Sequence, residues 1–489
     1  MTLRFEEYAA VTGEIPRSVH MVGIGGAGMS GVARILLARG VRVTGSDMKE
    51  SRAVVGLRAM GATIAIGHAE DNLELAGPGE FPEAVVISFA AIPDSNPELA
   101  GARQRGIRVL KRSDVLALLM QDSQALLIAG THGKTSTTSM AVAALQAAGC
   151  DPSFAVGGLM SKAGVNAHQG SGEIFVAEAD ESDASFLTYQ PQVAVVTNIE
   201  PDHLDFFVDE ETYYQVFDAF AQRIVPGGAL VVCAEDPHAA ALGQRARAHG
   251  VAVLGYGGEE ALATHPELAP AAVLHGWTPA AGGAVVDATI GETRVRFRLQ
   301  QPGRHMALNA LAALAAGTHL GADIQRMAQG LGEFTGVRRR FDYHGAIAAG
   351  PFAGVRVYDD YAHHPTEVAA VLGAARELVT QADAGQVVAV FQPHLYSRTE
   401  KFATEFAQAL SLADKVVVLD VFGAREEPLP GIDGNTIAAQ VSVPVVYEPH
   451  FTAVPARVRA LASANDVILT IGAGSVTMLA DEILGELAQ

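Results

Sequence analysis

Residues 128–140, IAGTHGKTSTTSM, decide how this chain is read. An apolar strand end runs into a glycine turn, a lysine and a run of hydroxyls. A phosphate loop of the form G-x-x-x-x-G-K-[ST] sits between a strand and a helix in this way. Counting back from Gly133-Lys134-Thr135, its first glycine should fall at 128, where the chain has Ile128. Around Gly130 and Gly133, backbone donors can still wrap a phosphate, Lys134 can reach its outer oxygens, and Thr135 can hold Mg²⁺. The alternative is an ordinary strand–helix turn with an exposed lysine. Glycine, lysine and hydroxyl coinciding in the one context that needs all three argues against it.

Outward from this loop the same rhythm recurs. Residues 19–47, VHMVGIGGAGMSGVARILLARGVRVTGSD, read strand, glycine turn, helix, strand. Gly23, Gly25 and Gly28 satisfy G-x-G-x-x-G, and Asp47 ends the next strand about 20 residues on, as a dinucleotide fingerprint requires. The pattern predicts a diphosphate held against a helix N-terminus; it does not single out NAD. A second α/β unit begins near 117, with LLIAG, EIFVAEADE and VAVVTNIEPDHLD as apolar strands, the last two ending in acids. Residues 258–300 read as hairpins or loops. From Phe334 onward VRVYDDY, QVVAVFQPH, KVVVLDVF and DVILTIGAG read as buried parallel strands separated by helices such as PTEVAAVLGAARELV. Ligands bind at the carboxyl ends of such strands. The fold predicted is α/β in three domains: 1–116 Rossmann-like, 117–332 P-loop ATPase-like, and 333–489 Rossmann-like.

The totals agree. A chain of 489 residues is too long for one core. A net charge of −20 without a basic block argues against a nucleic-acid surface. Cys150 and Cys233, the only cysteines, form neither a disulfide framework nor a zinc site. The N-terminus carries acids where a signal peptide has its basic region, and no run of about 18 apolar residues occurs. A cytoplasmic protein with no membrane partner is expected, either monomer or homodimer.

Several further residues carry chemistry. Glu178 and Asp180 close a strand, as the metal-binding acid of a P-loop NTPase does, or else form a solvated strand end. Asn198, Glu200, Asp202, His203 and Asp205 cluster after the next strand. Mg²⁺ prefers oxygen, so His203 would be an unusual ligand, and a loop hydrogen bond is the plainer reading. Arg338, Arg339 and Arg340 form either a solvated face or an arginine reaching a transferring phosphate. The histidines of DDYAHHPTE fit no simple zinc pair. In FQPHLYSRT, Arg398 could fork onto a carboxylate.

GIGGAGMSG, GTHGKTSTT, AEADESDASFL, TNIEPDHLD, PGRHMALNALAA, GVRRRF, DDYAHHPTE and FQPHLYSRT occur in this order. Together they resemble the Mur ligase family over nearly the whole chain, from 19 to about 475. In that family the short G-T-x-G-K-T loop is normal, so Ile128 belongs to the buried strand. The resemblance implies an ATP-dependent amide ligase of peptidoglycan precursor synthesis, acting on UDP-N-acetylmuramate, L-alanine and ATP with Mg²⁺. A relative that attaches murein peptides to the same sugar nucleotide is the nearest alternative. An NAD-dependent dehydrogenase on the 23–28 turn is the alternative from another class, and it leaves the second nucleotide site without purpose.

By this resemblance Gly130, Thr131, His132, Gly133, Lys134, Thr135 and Ser136 would cradle the ATP phosphates. Lys134 and Arg340 would stabilise the transferring phosphoryl, and Thr135, Glu178 and His203 would hold Mg²⁺. His305 and Asn309 would flank adenine, and Asp360 the ribose. Gly23, Gly25, Gly26, Ala27 and Gly28 would hold the UDP diphosphate, with Asp47 and Ser88 lining that pocket, and Asp183 would steer the muramoyl end of the sugar nucleotide. Tyr361, His363 and Arg398 would face substrate carboxylates. The sequence departs from the family pattern at Met306, where relatives usually carry asparagine, and at Leu395, where many carry arginine. Residues 204–224 contain no lysine, so no carbamate bridge between metals is expected.

Overall fold

The computed structural model describes residues 5, 8–88, 92–203, 206–280, 282–424 and 426–489. Its contacts form two compact units. One is Met1–His275 with Ala288–Val295 and Leu308–Leu331; the other is Gly276–Asp287 with Arg296–Ala307 and Gly332–Gln489. Among the described residues the strands form three sheets.

The first sheet contains β1 (Ser18–Val22), β2 (Arg42–Asp47), β3 (Thr63–Ile66), β4 (Ala84–Ile87) and β5 (Arg108–Lys111). Its order is β3-β2-β1-β4-β5, all parallel. The order reverses beside β1, so the turn leaving β1 opens into the crevice where ligands bind in such sheets. The helix Ala27–Ala38 follows; its N-cap is Gly26, which supplies no side-chain cap. First-turn amides are therefore not satisfied by a capping side chain and can face a ligand.

The second sheet has the order β15-β14-β13-β12-β11-β10-β6-β9-β7-β8. Its elements are β6 (Gln124–Ala129), β7 (Ser153–Ala155), β8 (Ala167–His168), β9 (Ile174–Glu178), β10 (Val193–Val196), β11 (Ala229–Cys233), β12 (Ala252–Gly258), β13 (Ala269–Ala280), β14 (Gly283–Ile290) and β15 (Thr293–Leu299). Central β6 is apolar because both its faces are covered, and Leu126–Ala129 are fully buried. Ile128 pairs with Glu178 on one side and Val195 on the other, so the carboxyl ends of β6, β9 and β10 align. Met21 and Val32 of the first sheet's layers share one core with Leu119, Phe175 and Phe186. The helix Lys134–Ala147 lies deep, its small side chains admitting close neighbours. A Cβ on Gly330 would stand 2.4 Å from the Ala147 Cβ and 3.0 Å from the Ala143 carbonyl.

The third sheet, β16-β17-β21-β18-β19-β20, comprises β16 (Asp342–Ala346), β17 (Arg356–Asp360), β18 (Val387–Phe391), β19 (Lys415–Val418), β20 (Val445–Tyr447) and β21 (Val467–Ile471). Only β16 is antiparallel. Along β18, Val387, Ala389 and Phe391 pack on one helical layer and Val388 and Val390 on the other. That alternation produces a helix–sheet–helix sandwich. Among the described residues no helix is long and apolar enough to cross a membrane.

Candidate active site

The loop after β6 is held by the end of β10. Thr131 and His132 donate their amides to Asn198, at 3.0 Å to its carbonyl and 2.8 Å to its side chain. The Thr131 hydroxyl lies 2.9 Å from the Glu200 carbonyl and 2.8 Å from the Tyr213 hydroxyl. His132 Nε2 meets Glu200 at 2.9 Å. Gly133, at φ +83°, caps the helix in a conformation that a side chain would strain. A Cβ there would also sit 3.1 Å from Asn309 Oδ1, which brings Asn309 to the loop. Thr135 and Ser136 are buried in the first helical turn.

Lys134 folds back onto this loop. Its Nζ donates to the Gly130 carbonyl at 2.6 Å and the Thr131 carbonyl at 3.0 Å, and it lies 2.8 Å from Glu181 Oε2. Burial, the largest influence, favours the neutral amine, but Glu181, Asp180 and Glu178 outweigh it and hold the lysine charged. Glu181 is fully buried, and burial pushes its carboxyl up against the pull of Lys134.

At the first sheet, Gly23 and Ile24 donate to the Ser46 carbonyl at 2.8 and 3.0 Å, and Gly26 donates to the Gly23 carbonyl at 3.1 Å. Asp47 accepts from the Gly25 amide at 2.9 Å, and Asn166 donates to the Ala27 carbonyl at 2.7 Å. Two neighbouring cavities lie here, and the smaller adjoins this turn. One of about 220 Å³ is lined by Ala27, Gly28, Asn166, Glu178, Asp180 and Arg112, among others. One of about 360 Å³ is lined by Ser88, Asp183, His203, Asp180 and Arg112, among others. Glu178 and His203 thus face neighbouring cavities that share Asp180 and Arg112. Glu178 also accepts from the Gly157 amide at 2.9 Å. His203 takes φ +54°. Asp205 lies outside the described residues.

In the other unit the arginine run divides. Arg338 is exposed. Arg339 donates to the Gly472 and Gly474 carbonyls at 2.7 and 3.2 Å. The Arg339 and Arg340 guanidinium carbons stand 4.7 and 5.2 Å from the Tyr361 ring centroid. Asp360 accepts from the Phe341 and Ala362 amides, both at 2.7 Å, so each oxygen already serves the backbone. Burial raises its carboxyl to about 6. Tyr361, His363 and His394 meet ring to ring at 5.3 and 6.1 Å. Burial takes His363 down to about 4, with Glu367 opposing and Arg398 assisting. Burial likewise takes His305 down to about 4, and Met306 beside it is buried. Leu395 takes φ +70° and donates to the Phe422 carbonyl at 3.0 Å.

Three family descriptions match in succession: "Mur ligase family, catalytic domain" over 18–124, "Mur ligase middle domain" over 128–317, and "Mur ligase, glutamate ligase domain" over 339–474. The chain belongs to the Mur ligase family. It is an ATP-dependent, ADP-forming amide ligase of that family, with three parallel or mostly parallel sheets as expected. The UDP-N-acetylmuramate–L-alanine ligase of Mycolicibacterium gilvum is 58% identical over 483 residues, covering 98% of both chains. The enzyme of that name from Nocardia farcinica is 56% identical over 493 residues, covering 98% of this chain and 96% of the other. The solved UDP-N-acetylmuramate-alanine ligase of Thermotoga maritima superposes with a TM-score of 0.76 at 27% identity, covering 96% of this Mur ligase and 98% of that chain.

Sequence reasoning missed Glu181, Arg112 and His394. Glu181 stood in plain view three residues after Glu178, and a second acid beside a phosphate loop was the available signal. His394 stood inside FQPHLYSRT, four residues before Arg398, whereas Arg112 carried no such signal, since the glycine turn it meets is distant in sequence.

Proposed function

We propose that this Mur ligase joins L-alanine to the carboxylate of UDP-N-acetylmuramate, consuming ATP. The observation that carries the reading is the adjacency, in one unit, of a sugar-nucleotide glycine turn to the acid-rich surroundings of an ATP loop, through cavities sharing Arg112 and Asp180. A carboxylate acylates poorly because oxide is its leaving group. Transfer of the γ-phosphoryl gives an acyl phosphate and ADP; the amine of alanine then attacks the acyl carbon, and phosphate departs with the electron pair. Lys134, kept charged, would neutralise charge on the moving phosphoryl, and Arg340 would grip its oxygens bidentately. Asn309, His305 and Asp360 are assigned to the nucleoside. Because both Asp360 oxygens serve backbone amides, its part would be to fix the backbone at Phe341 and Ala362. Tyr361, His363 and Arg398 would receive substrate carboxylate. His363, neutral at physiological pH, leaves the positive charge to Arg398.

The residues also suit Mg²⁺. Three carboxylates, Glu178, Asp180 and Glu181, act on the Lys134 ammonium, and carboxylate oxygens are the donors a hard divalent cation takes. Thr135, Glu178 and His203 would hold it, and when bound it would offset charge on the ATP phosphates. The functional divisions are taken as 1–116, 117–332 and 333–489, for sugar nucleotide, ATP and amino acid respectively, in a cytoplasmic enzyme. Phosphate release from ATP, with UDP-N-acetylmuramate and L-alanine, serine, glycine or a murein tripeptide supplied in turn, tests the reading. Release must require the sugar nucleotide and be fastest with L-alanine; preference for the tripeptide would overturn it.

A further inference from the structure

Arg112 begins the helix Arg112–Met120 directly after β5. It is half-buried, and no hydrogen bond or ion pair holds its guanidinium among the described residues. Its charge acts on the nearby Asp180 carboxylate without a hydrogen bond between them, so the donor fork stays available to an anionic ligand. The side chain runs along the glycine turn. A Cβ built on Gly28 would stand 3.1 Å from Arg112 Cδ, 3.3 Å from Nε and 3.4 Å from Nη1. Arg112 also lines both cavities, and in the smaller it is the one basic side chain among the described lining residues, facing Glu178 and Asp180.

We propose that Arg112 is the diphosphate anchor of the sugar-nucleotide site, its planar fork gripping phosphate oxygens seated on the Gly26–Gly28 turn. This rests on the reading of that turn as the UDP site. A diphosphate diester brings two negative charges into a chain of net charge −20, beside Glu178 and Asp180. Backbone amides at a helix start supply only partial positive charge. A full cation at Gly28 offsets the repulsion, and arginine matches paired phosphate oxygens where lysine gives a single point of charge.

The test uses the full chain and isothermal titration with UDP, UDP-N-acetylmuramate and ATP, for wild type, Arg112→Ala and Arg112→Lys. Loss of charge-assisted bonds should weaken UDP and UDP-N-acetylmuramate by the same factor, about 10- to 100-fold in Arg112→Ala. Arg112→Lys should lose a smaller part, and ATP affinity should hold. Unchanged UDP with weakened UDP-N-acetylmuramate overturns the proposal in favour of a contact to the muramoyl carboxylate. Unchanged affinity for both overturns it in favour of a surface cation, and equal weakening of ATP overturns it in favour of a general field. Should Arg112→Ala fail to fold, Arg112→Lys decides: UDP binding equal to wild type overturns the proposal. Failure of wild type to bind either uridine ligand would instead sink the UDP reading of the turn.

Discussion

Glu98→Gln should destabilise the first sheet at neutral pH and flatten its acid response. Glu98 is fully buried beneath β1 and β2, as is His20. It accepts from the Ser46 hydroxyl at 2.6 Å, Asn72 at 2.5 Å and the Ala69 amide at 3.2 Å, and lies 3.4 Å from His20 Nε2. Burial alone would raise its carboxyl, but the bonds from His20, Ser46 and Asn72 prevail and bring it from an ordinary 4.5 to about 2. A gap of about 2.5 units corresponds to about 3 kcal/mol of stability. Because the folded value is the lower one, that stability is present above pH 4.5 and drains away as pH falls toward 2. The glutamine variant should lack about 3 kcal/mol at pH 7 and show no loss from this position on acidification. Amide hydrogen exchange of Ser18–Val22 and Arg42–Asp47, corrected for intrinsic rates and followed from pH 7 downward, reads the opening free energy locally. Acid profiles that run parallel in wild type and variant would refute the reasoning. The Ser46 carbonyl receives the Gly23 and Ile24 amides, so UDP affinity should fall with the same substitution.

Lys134→Ala should reduce ligation by about 10²–10³ while leaving UDP-sugar affinity within about a few-fold, since the two nucleotides are assigned to separate turns; a kcat above half of wild type would contradict the role proposed for it. Arg340→Lys keeps the charge but loses the planar fork, so kcat should fall at least about tenfold with a smaller change in ATP affinity. The exposed Arg338, changed to Lys, is the control, and equal kcat in the two variants would return the run to a solvated face. Met306→Asn should tighten ATP binding or leave it unchanged; a large rise in the KM for ATP would mean that buried Met306 belongs to a repacked pocket.

The fold was legible because its signals are local. Each glycine turn stands between an apolar strand and a helix, and hydrophobic runs such as VVAVF need cover on both faces, which fixes a parallel sheet with helical layers. Residue identities at the turns were legible for the same reason. What was hidden depends on partners distant in sequence. Glu98 reads as an ordinary first-turn acid of a surface helix until His20 and Ser46 are brought onto it from β1 and β2. Asp360 reads as a free acid at a strand end, yet the neighbouring backbone takes both its oxygens. The three arginines look equivalent in GVRRRF; in the structure Arg338 faces solvent, Arg339, at φ +63°, reaches the 472–474 turn, and both Arg339 and Arg340 stand over Tyr361.

The tight seat of Lys134–Ala147 bears on how this enzyme could be improved or could drift. Replacing a helical glycine with alanine is a familiar stabilising step, worth roughly 0.5–1 kcal/mol. Gly330 looks like an obvious target, since it lies inside the helix Ile324–Glu333. Its missing methyl is the space that Ala147 occupies, at 2.4 Å, with the Ala143 carbonyl at 3.0 Å. Backbone and a methyl group cannot swing aside as a long side chain can, so the substitution would push on the very helix whose first turn carries Lys134 and Thr135. Thermostabilisation libraries and natural lineages alike should find this contact closed to larger residues, and a gain of size at 330 should appear only with a rebuilt partner at 143 or 147.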